Sequence, residues 1–510
     1  MKESPSKSPE QRKKIASSTR SAGKTSLNLQ QYSCVHGVLK MSEAKKGKIV
    51  IVGAGEVGRS VARTLTGEGW DVCIVEKNES QAESVKSELD IQVIVGNGAR
   101  PQVLAQTGIN QGEVQMLIAC TNRDEVNILS CWIAHSAGIE YVISRVKNLE
   151  FTDTPDWGKR LGVEFMLSPE RSIAREVIGL LEVSAATHAA ELLDGRAGLY
   201  TLKISPNSPL VDMALKDIRP KFPDLTAVFV HVTHEDGKSG VPNGFTVLQA
   251  NDVCYVVTYK QSAGQLQEIF NPAVEAKRRL RKIFVVGGGK LGTQITQAVK
   301  RDFGNVSLRL IERDSEKTER LSEELGEALV INADGADKTM LAEEGIEDAD
   351  GYICATDSDE LNLIYCALAK KMGAKKTIAV VKRKDYQNLT DCMPVDAIVD
   401  PNESLANLIL RVVHYPRHTL AFSMIETIDA EMLEVVLHED VELVGKTLAQ
   451  IKLKKGVVVA LLGRGERVLV PTGATQLLAG DRVILFALTS MMPEAARLFG
   501  ADMETPDNED

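Results

Sequence analysis

No stretch of this 510-residue chain approaches the roughly 18–20 consecutive apolar residues that cross a bilayer, so any membrane role must be peripheral. Its N-terminus holds no continuous apolar segment, and no signal peptide is expected. Its eight cysteines contain no CxxC pair, and several sit inside apolar runs. They read as reduced structural thiols of a cytosolic protein, which argues against a metal or redox centre. A hydrophobic content of 44% with 25% charged residues is ordinary for a globular chain.

Charge is distributed unevenly. Residues 1–48 carry eleven Lys/Arg against three Asp/Glu, a local +8, which leaves −18 on the remainder of a chain whose net charge is −10. That acidic body argues against nucleic acid as the main partner. The Ser/Lys-rich head shows neither helical nor strand period, and disorder is expected. It could touch anionic lipid or nucleic acid; otherwise it reads as a dispensable tail, or translation starts at Met41.

What the chain does have is a glycine-rich loop, twice. Gly53-Ala54-Gly55-Glu56-Val57-Gly58 follows the apolar run 49–52, and Gly287-Gly288-Gly289-Lys290-Leu291-Gly292 follows 283–286, 234 residues later. The landmarks downstream keep nearly the same offset. Glu76 and Glu312 end the second strands, and Asn97 and Asp334 sit in the turns after the third. Thr121 and Thr356 close the fourth, and Asp124-Glu125-x-Asn127 and Asp359-Glu360-x-Asn362 open the next helices. Strands apolar throughout and alternating with amphipathic helices predict a parallel sheet covered on both faces.

Each such unit is followed by a helix and a shorter strand-rich segment. The helix at 169–183 carries Ile173, Val177, Ile178 and Leu181 on one stripe, and that at 402–414 carries Leu405, Leu408, Ile409 and Val412. Such stripes form core, and they also serve as dimer contacts. The small segments match each other through Pro242-x-Gly244 with Asp252 and Pro471-x-Gly473 with Asp481. The predicted fold class is α/β: two tandem Rossmann-like doubly wound parallel sheets, each followed by a small α+β C-terminal subdomain. The expected order is a disordered basic extension (1–47), a first Rossmann-like domain (48–168), and an interface helix with its subdomain (169–262). A linker (263–281), a second Rossmann-like domain (282–400), a second helix with subdomain (401–500) and an acidic tail (501–510) follow.

A strand, G-x-G-x-x-G and a helix together place backbone N–H groups and the positive end of the helix dipole against a pyrophosphate. The first glycine makes the turn, the second admits the phosphate and the third lets helix approach sheet. Glu76 and Glu312 stand where a carboxylate accepts from the ribose hydroxyls and repels a 2′-phosphate, favouring NAD(H) over NADP(H). Lys290 and the extra glycine of the second loop would also suit a different phosphate ligand. Asn97 and Asp334 read either as contacts at the adenine edge or as helix N-caps. Thr121 and Thr356 read as phosphate or ribose contacts, or as turn caps. Asp124 and Asp359 read as helix caps. A dehydrogenase would need an acid–base group beside the nicotinamide. The eight histidines occupy no corresponding positions in the two halves, and no Ser-x-x-x-Tyr-x-x-x-Lys pattern occurs. Matched sensors are therefore expected in place of an enzyme.

Taken together, the paired glycine loops, the two Asp-Glu-x-Asn motifs and the Pro-x-Gly…Asp pattern resemble the regulator of potassium conductance (RCK) family over about residues 48–500. The resemblance implies a cytosolic, peripheral subunit on the inner face of the membrane, assembled as a homo-oligomer, a dimer or tetramer, on a Trk-type potassium-translocating membrane subunit. NAD(H), or ATP/ADP, would gate potassium flux. It implies a ligand on Gly53 to Val57, Glu76, Cys120, Thr121 and Ser144 in the first half, and on Gly287 to Leu291 and Glu312 in the second. Two positions depart from the family pattern: Asn97 replaces a frequent acid, and Val380 stands where the first half has Arg145. A soluble NAD-dependent oxidoreductase and an RCK-type sensor of another transporter are the competing readings.

Overall fold

Ile49, Val50, Ile51 and Val52 are all buried, so the strand Lys48–Val52 has no solvent face and belongs inside a sheet covered on both sides. The computed structural model, which describes residues 47–148, 150–153, 157–272, 280–326, 328–383, 385–386, 392–414, 419–425 and 428–501, places it there. It pairs in parallel with Asp71–Glu76 on one side and Val114–Ala119 on the other. The six-stranded sheet has the spatial order 3-2-1-4-5-6, counted along the chain. The second half repeats it, with Lys282–Val286 between Ser307–Glu312 and Gly351–Cys354. The expected pair of doubly wound parallel sheets is present. Each sheet also gains a sixth strand, Phe165–Leu167 or Ala397–Val399, three residues long and too short for a periodic signal.

The small subdomains are antiparallel five-stranded sheets. The first comprises Ala186–Leu192, Ala197–Lys203, Ala227–Thr233, Ser239–Gly240 and Val253–Tyr259. In the second they are Thr419–Ile425, Ala430–Val436, Val457–Arg464, Arg467–Leu469 and Arg482–Leu488. One face of each packs on the other: Leu199, Tyr255 and Val257 share a core with Met432, Leu461 and Phe486.

The halves are interlocked through their crossover helices. Helix Pro169–Glu182 leaves the first half and packs on helix Lys290–Phe303, which follows the second glycine loop. Helix Pro401–His414 leaves the second half and packs on Glu56–Gly67, which follows the first loop. The stripe Ile173, Val177, Ile178 and Leu181 is buried in one core with Ile283, Val285, Ile295 and Val299. Each such side chain contributes about 1.5–3 kcal/mol on burial, whereas an exposed ion pair contributes about 0.2–1 kcal/mol. Apolar packing therefore holds the halves together, and the dimer-type contact is internal to one chain. On the second helix Leu405, Ile409 and Val412 are buried as expected, but Leu408 is only half-buried and Leu410 takes a core place.

The expected linker at 263–281 differs from the structure at its start. Residues Ala263–Phe270 form a helix, because Ala263, Leu266, Ile269 and Phe270 fall on one face and are buried in the first half's core. Residues 273–279, the basic head at 1–46 and the tail at 502–510 lie outside the described residues. No helix among the described residues is long and apolar enough to cross a membrane.

Candidate nucleotide site

Both glycine loops leave the central strand by a turn that an L side chain resists. Gly53 has φ +110° and Gly287 φ +102°. Their N–H groups donate to Val75 and Ile311 carbonyls, each at 2.9 Å, which ties the loop to the neighbouring strand. A Cβ on Gly58 or Gly292 would overlap the carbonyl oxygen of Gly53 or Gly287, so only glycine lets the helix start this close to the loop. A Cβ on Gly55 or Gly289 would meet nothing within 4 Å. Open space thus lies over the middle glycine of each loop. Gly55 and Gly289 are also the helix N-caps and supply no capping side chain. The first N–H groups of each helix are left for an anion. Glu56 and Lys290 are exposed at these helix starts, whereas Val57 is buried and Leu291 half-buried, so both turn inward.

Glu76 and Glu312 stand at the strand ends and are already engaged. Glu76 Oε2 accepts from the Ala54 N–H at 2.7 Å and Oε1 from the Asn78 N–H at 2.8 Å. Glu312 does the same with Gly288 at 2.7 Å and Asp314 at 3.0 Å. Each carboxylate therefore braces its loop, with lone pairs left over for a hydroxyl.

The N-cap alternative for Asn97 and Asp334 does not hold. Asn97 Oδ1 accepts from the Ala99 N–H at 3.0 Å and Asp334 Oδ1 from the Ala336 N–H at 2.8 Å, both turn bonds. The following helices are capped at Arg100 and Asp337 instead. Asp124 and Asp359 are not caps either, since Arg123 and Ser358 hold those positions. Asp124 accepts from the backbone of Lys147 at 3.0 Å and Asn148 at 2.8 Å, and Asp359 from Lys382 and Arg383, both at 2.9 Å. These carboxylates hold the chain as it leaves the fifth strand.

At the carboxyl edge, buried Asn127 organises the floor of the site. Its Oδ1 accepts from the Thr121 N–H at 2.9 Å and hydroxyl at 2.6 Å, and its Nδ2 donates to the Thr121 and Arg145 carbonyls, both at 3.0 Å. Asn362 repeats this with Thr356 and Val380. Thr121 and Thr356 thus form part of a lock and have their hydroxyl protons committed. The two asparagines stood in the sequence only as landmarks. A buried asparagine six residues after the threonine in both halves is the signal that would have marked them. Cys120 is buried beside the Val52 carbonyl, and burial pushes its thiol up to about 12, so it remains protonated. Ser144 is fully buried beneath the same edge and donates to the Arg145 carbonyl at 3.3 Å. Each loop, its acid and its threonine are gathered at one sheet edge, with Cys120 and Ser144 underneath it in the first half.

Among the described residues no group of three or more His, Cys, Asp or Glu is placed to hold a metal.

The family model described as the TrkA-N domain matches residues 49–169 and 283–401, and that described as the TrkA-C domain matches 199–271 and 432–500. The chain is 35% identical over 460 residues to the Trk system potassium uptake protein TrkA homolog 1 of Methanosarcina mazei, covering 89% of this chain and all of the relative. It is 30% identical to the Trk system potassium uptake protein TrkA of Azorhizobium caulinodans, over 90% of this chain and 99% of that one. Among solved structures, the GsuK RCK domain superposes with a TM-score of 0.55 at 19% identity, covering 92% of this chain and 99% of its own. The GsuK channel bound to NAD superposes with 0.54 at 20% identity, covering 93% and 82%. At such identities these structures establish a shared fold.

Proposed function

The chain belongs to the TrkA family of Trk system potassium uptake proteins, and from that premise we propose that it is a nucleotide-binding regulatory subunit of potassium transport. The observation that carries this reading is the pair of matched cradles, each with a left-handed first glycine, open space over the second and a bracing carboxylate. In the first half the nucleotide would be held by Gly53 to Gly58, Glu76 and Asn97, over the edge formed by Cys120, Thr121 and Ser144. In the second it would be held by Gly287 to Gly292, Glu312, Asp334 and Thr356. NAD(H) is the favoured occupant because both acids repel a 2′-phosphate, and ATP or ADP are its competitors.

The bound nucleotide supplies charge and shape and is not consumed. It shifts the protein between arrangements by its difference in affinity for them. The interlocked helices offer the route. An occupant of the first loop presses on helix Glu56–Gly67, which packs on the crossover helix of the second half. The subunit works as a homo-oligomer on the cytoplasmic face of a Trk-type potassium-translocating membrane protein, and nucleotide exchange sets the potassium flux. Isothermal titration of the purified chain with NADH, NAD, ATP and ADP tests the reading; no heat of binding from any of the four would overturn it.

A further inference from the structure

The two crossover helices end in joints of different chemistry. Both helices are 14 residues long, and their last residues are Glu182 and His414. At the first joint Glu182 pairs with Lys260 at 2.9 Å, and neighbouring Asp302, on helix Lys290–Phe303, pairs with Arg301 at 2.8 Å. Burial works against the Lys260 charge, but Glu182 outweighs it and raises the ammonium, and the bond to Asp302 raises the Arg301 guanidinium. Both cations therefore persist through neutral pH.

The second joint is built otherwise. His414 Nε2 lies 2.9 Å from Oε2 of Glu68, the residue that ends helix Glu56–Gly67. Thr489 opens the short turn that Lys260 opens in the first half. Glu431 takes the place of Gly198, since Ala430 pairs with Leu488 as Ala197 pairs with Tyr259. A carboxyl at 4% exposure thus stands where the other joint has no side chain, and Lys260 has given way to a hydroxyl. The groups acting on Glu431 are His414 from the crossover helix, Glu68 from the loop helix, Asp429 from the turn before its own strand, and the Thr489 hydroxyl. Of the neighbouring strands, Thr419–Ile425 carries no titratable side chain, and Arg482–Leu488 carries only Arg482, engaged by Glu434 and Asp194. Helix Met492–Leu498 brings Glu494, paired with Lys454, and Arg497. Arg411 lies one turn before His414.

We propose that Glu431 makes the second joint a proton-operated latch. With the carboxyl neutral, the end of helix Glu56–Gly67 stays docked on helix Pro401–His414; ionised, it is a buried charge facing Glu68 and Asp429, and the joint opens. Burial raises this carboxyl from 4.5 to about 7, with His414 opposing and Glu68 and Asp429 adding. The docked carboxyl holds its proton more tightly than one freed to water. Docking is therefore fully supported below about 4.5 and loses that support as pH rises through 7. Between pH 6 and pH 8 the ratio of docked to open falls about tenfold. Helix Glu56–Gly67 is 12 residues long and starts at the first glycine loop, so a shift at its far end re-aims the N–H groups at its start. Proton concentration thereby sets the response of the first loop, and a ligand that prefers the docked arrangement favours the protonated carboxyl in return.

The control of the loop rests on the nucleotide-binding reading; the latch itself does not, and two measurements keep them apart. Hydrogen–deuterium exchange of the full chain without nucleotide is followed at pH 6 and pH 8, corrected for intrinsic rates. In the wild type, protection of the amides at 64–68 and 410–414 should fall about tenfold. The first joint, at 179–182 and 299–303, should stay constant. Glu431→Gln, neutral at either pH, should keep the second joint at its pH 6 protection. Equal behaviour of the two joints in the wild type overturns the inference, whether or not the variant folds, and so does a pH response that survives in Glu431→Gln. Calorimetric titration with NAD and ADP follows at the same two pH values, each compared with Glu431→Gln so that the ligand's own titration cancels. Affinity at the first loop should fall up to about tenfold in the wild type relative to the variant. Affinities that keep a constant ratio overturn the control of the loop and leave nucleotide sensing standing. A chain that binds neither ligand at either pH counts against the functional reading, and the exchange data still judge the latch.

Discussion

Lys376 is the most revealing single position for the way the halves are joined. It lies in the second half at 1% exposure, yet its ammonium donates to the Ser184 carbonyl at 2.9 Å and the Ala186 carbonyl at 2.6 Å, both in the first half. These carbonyls end the turn after helix Pro169–Glu182, and the lysine pins that turn. Burial lowers its pKa from 10.5 to about 8, with Asp396 opposing and Lys370 assisting. At about 1.4 kcal/mol per pH unit, this loss of proton affinity costs the folded state about 3 kcal/mol while the group is charged. The folded chain binds the proton more weakly than the unfolded chain, so stability rises as pH climbs from about 8 towards 10.5. A neutral amine keeps its two donors. Lys376→Met removes the buried charge and orphans two carbonyls, which costs about 1–3 kcal/mol each. At pH 7 relief and loss nearly cancel, and the variant should unfold in urea within about 2 kcal/mol of the wild type. By pH 10 the wild type has shed its penalty, and the variant should lag it by about 2–4 kcal/mol. A gap that stays constant or narrows between pH 7 and pH 10 would refute the reasoning.

Three further outcomes are expected. Gly292→Ala drives a methyl into the Gly287 carbonyl; it should destabilise the second half by about 1–3 kcal/mol and abolish binding at the second loop, read by calorimetry. Asn127→Ala strips the partners from the Thr121 amide and the Thr121 and Arg145 carbonyls. It should cost about 2–4 kcal/mol in thermal unfolding, and Asn362→Ala should cost a similar amount, the two adding because they lie in separate domains. Burial raises Glu431 from 4.5 to about 7, against the pull of His414. The folded chain therefore holds this proton more tightly, and stability should decline as pH rises from about 4.5 through 7. Glu431→Gln should flatten that decline in unfolding curves taken from pH 5 to pH 8; an unchanged slope would show that another group sets it.

The periodicity and the glycine spacing were sufficient for the duplicated α/β fold, because each central strand is apolar at every position and each loop must turn in the left-handed region. The acids Glu76 and Glu312 were legible for the same reason: position at a strand end places a carboxylate beside the loop whatever else surrounds it. Roles that depend on where another segment lands were not legible. Asp124 and Asp359 look like caps until the chain after the fifth strand folds onto them, and the locking asparagines require a carbonyl 18 residues away. The sequence alone therefore determined two matched glycine loops and their shared order of elements, since local backbone geometry and burial dictate both. Only the tertiary structure decided that each crossover helix packs on the other half and that Lys376 pins the join. Those contacts join residues far apart along the chain, and no local pattern encodes the distance between them.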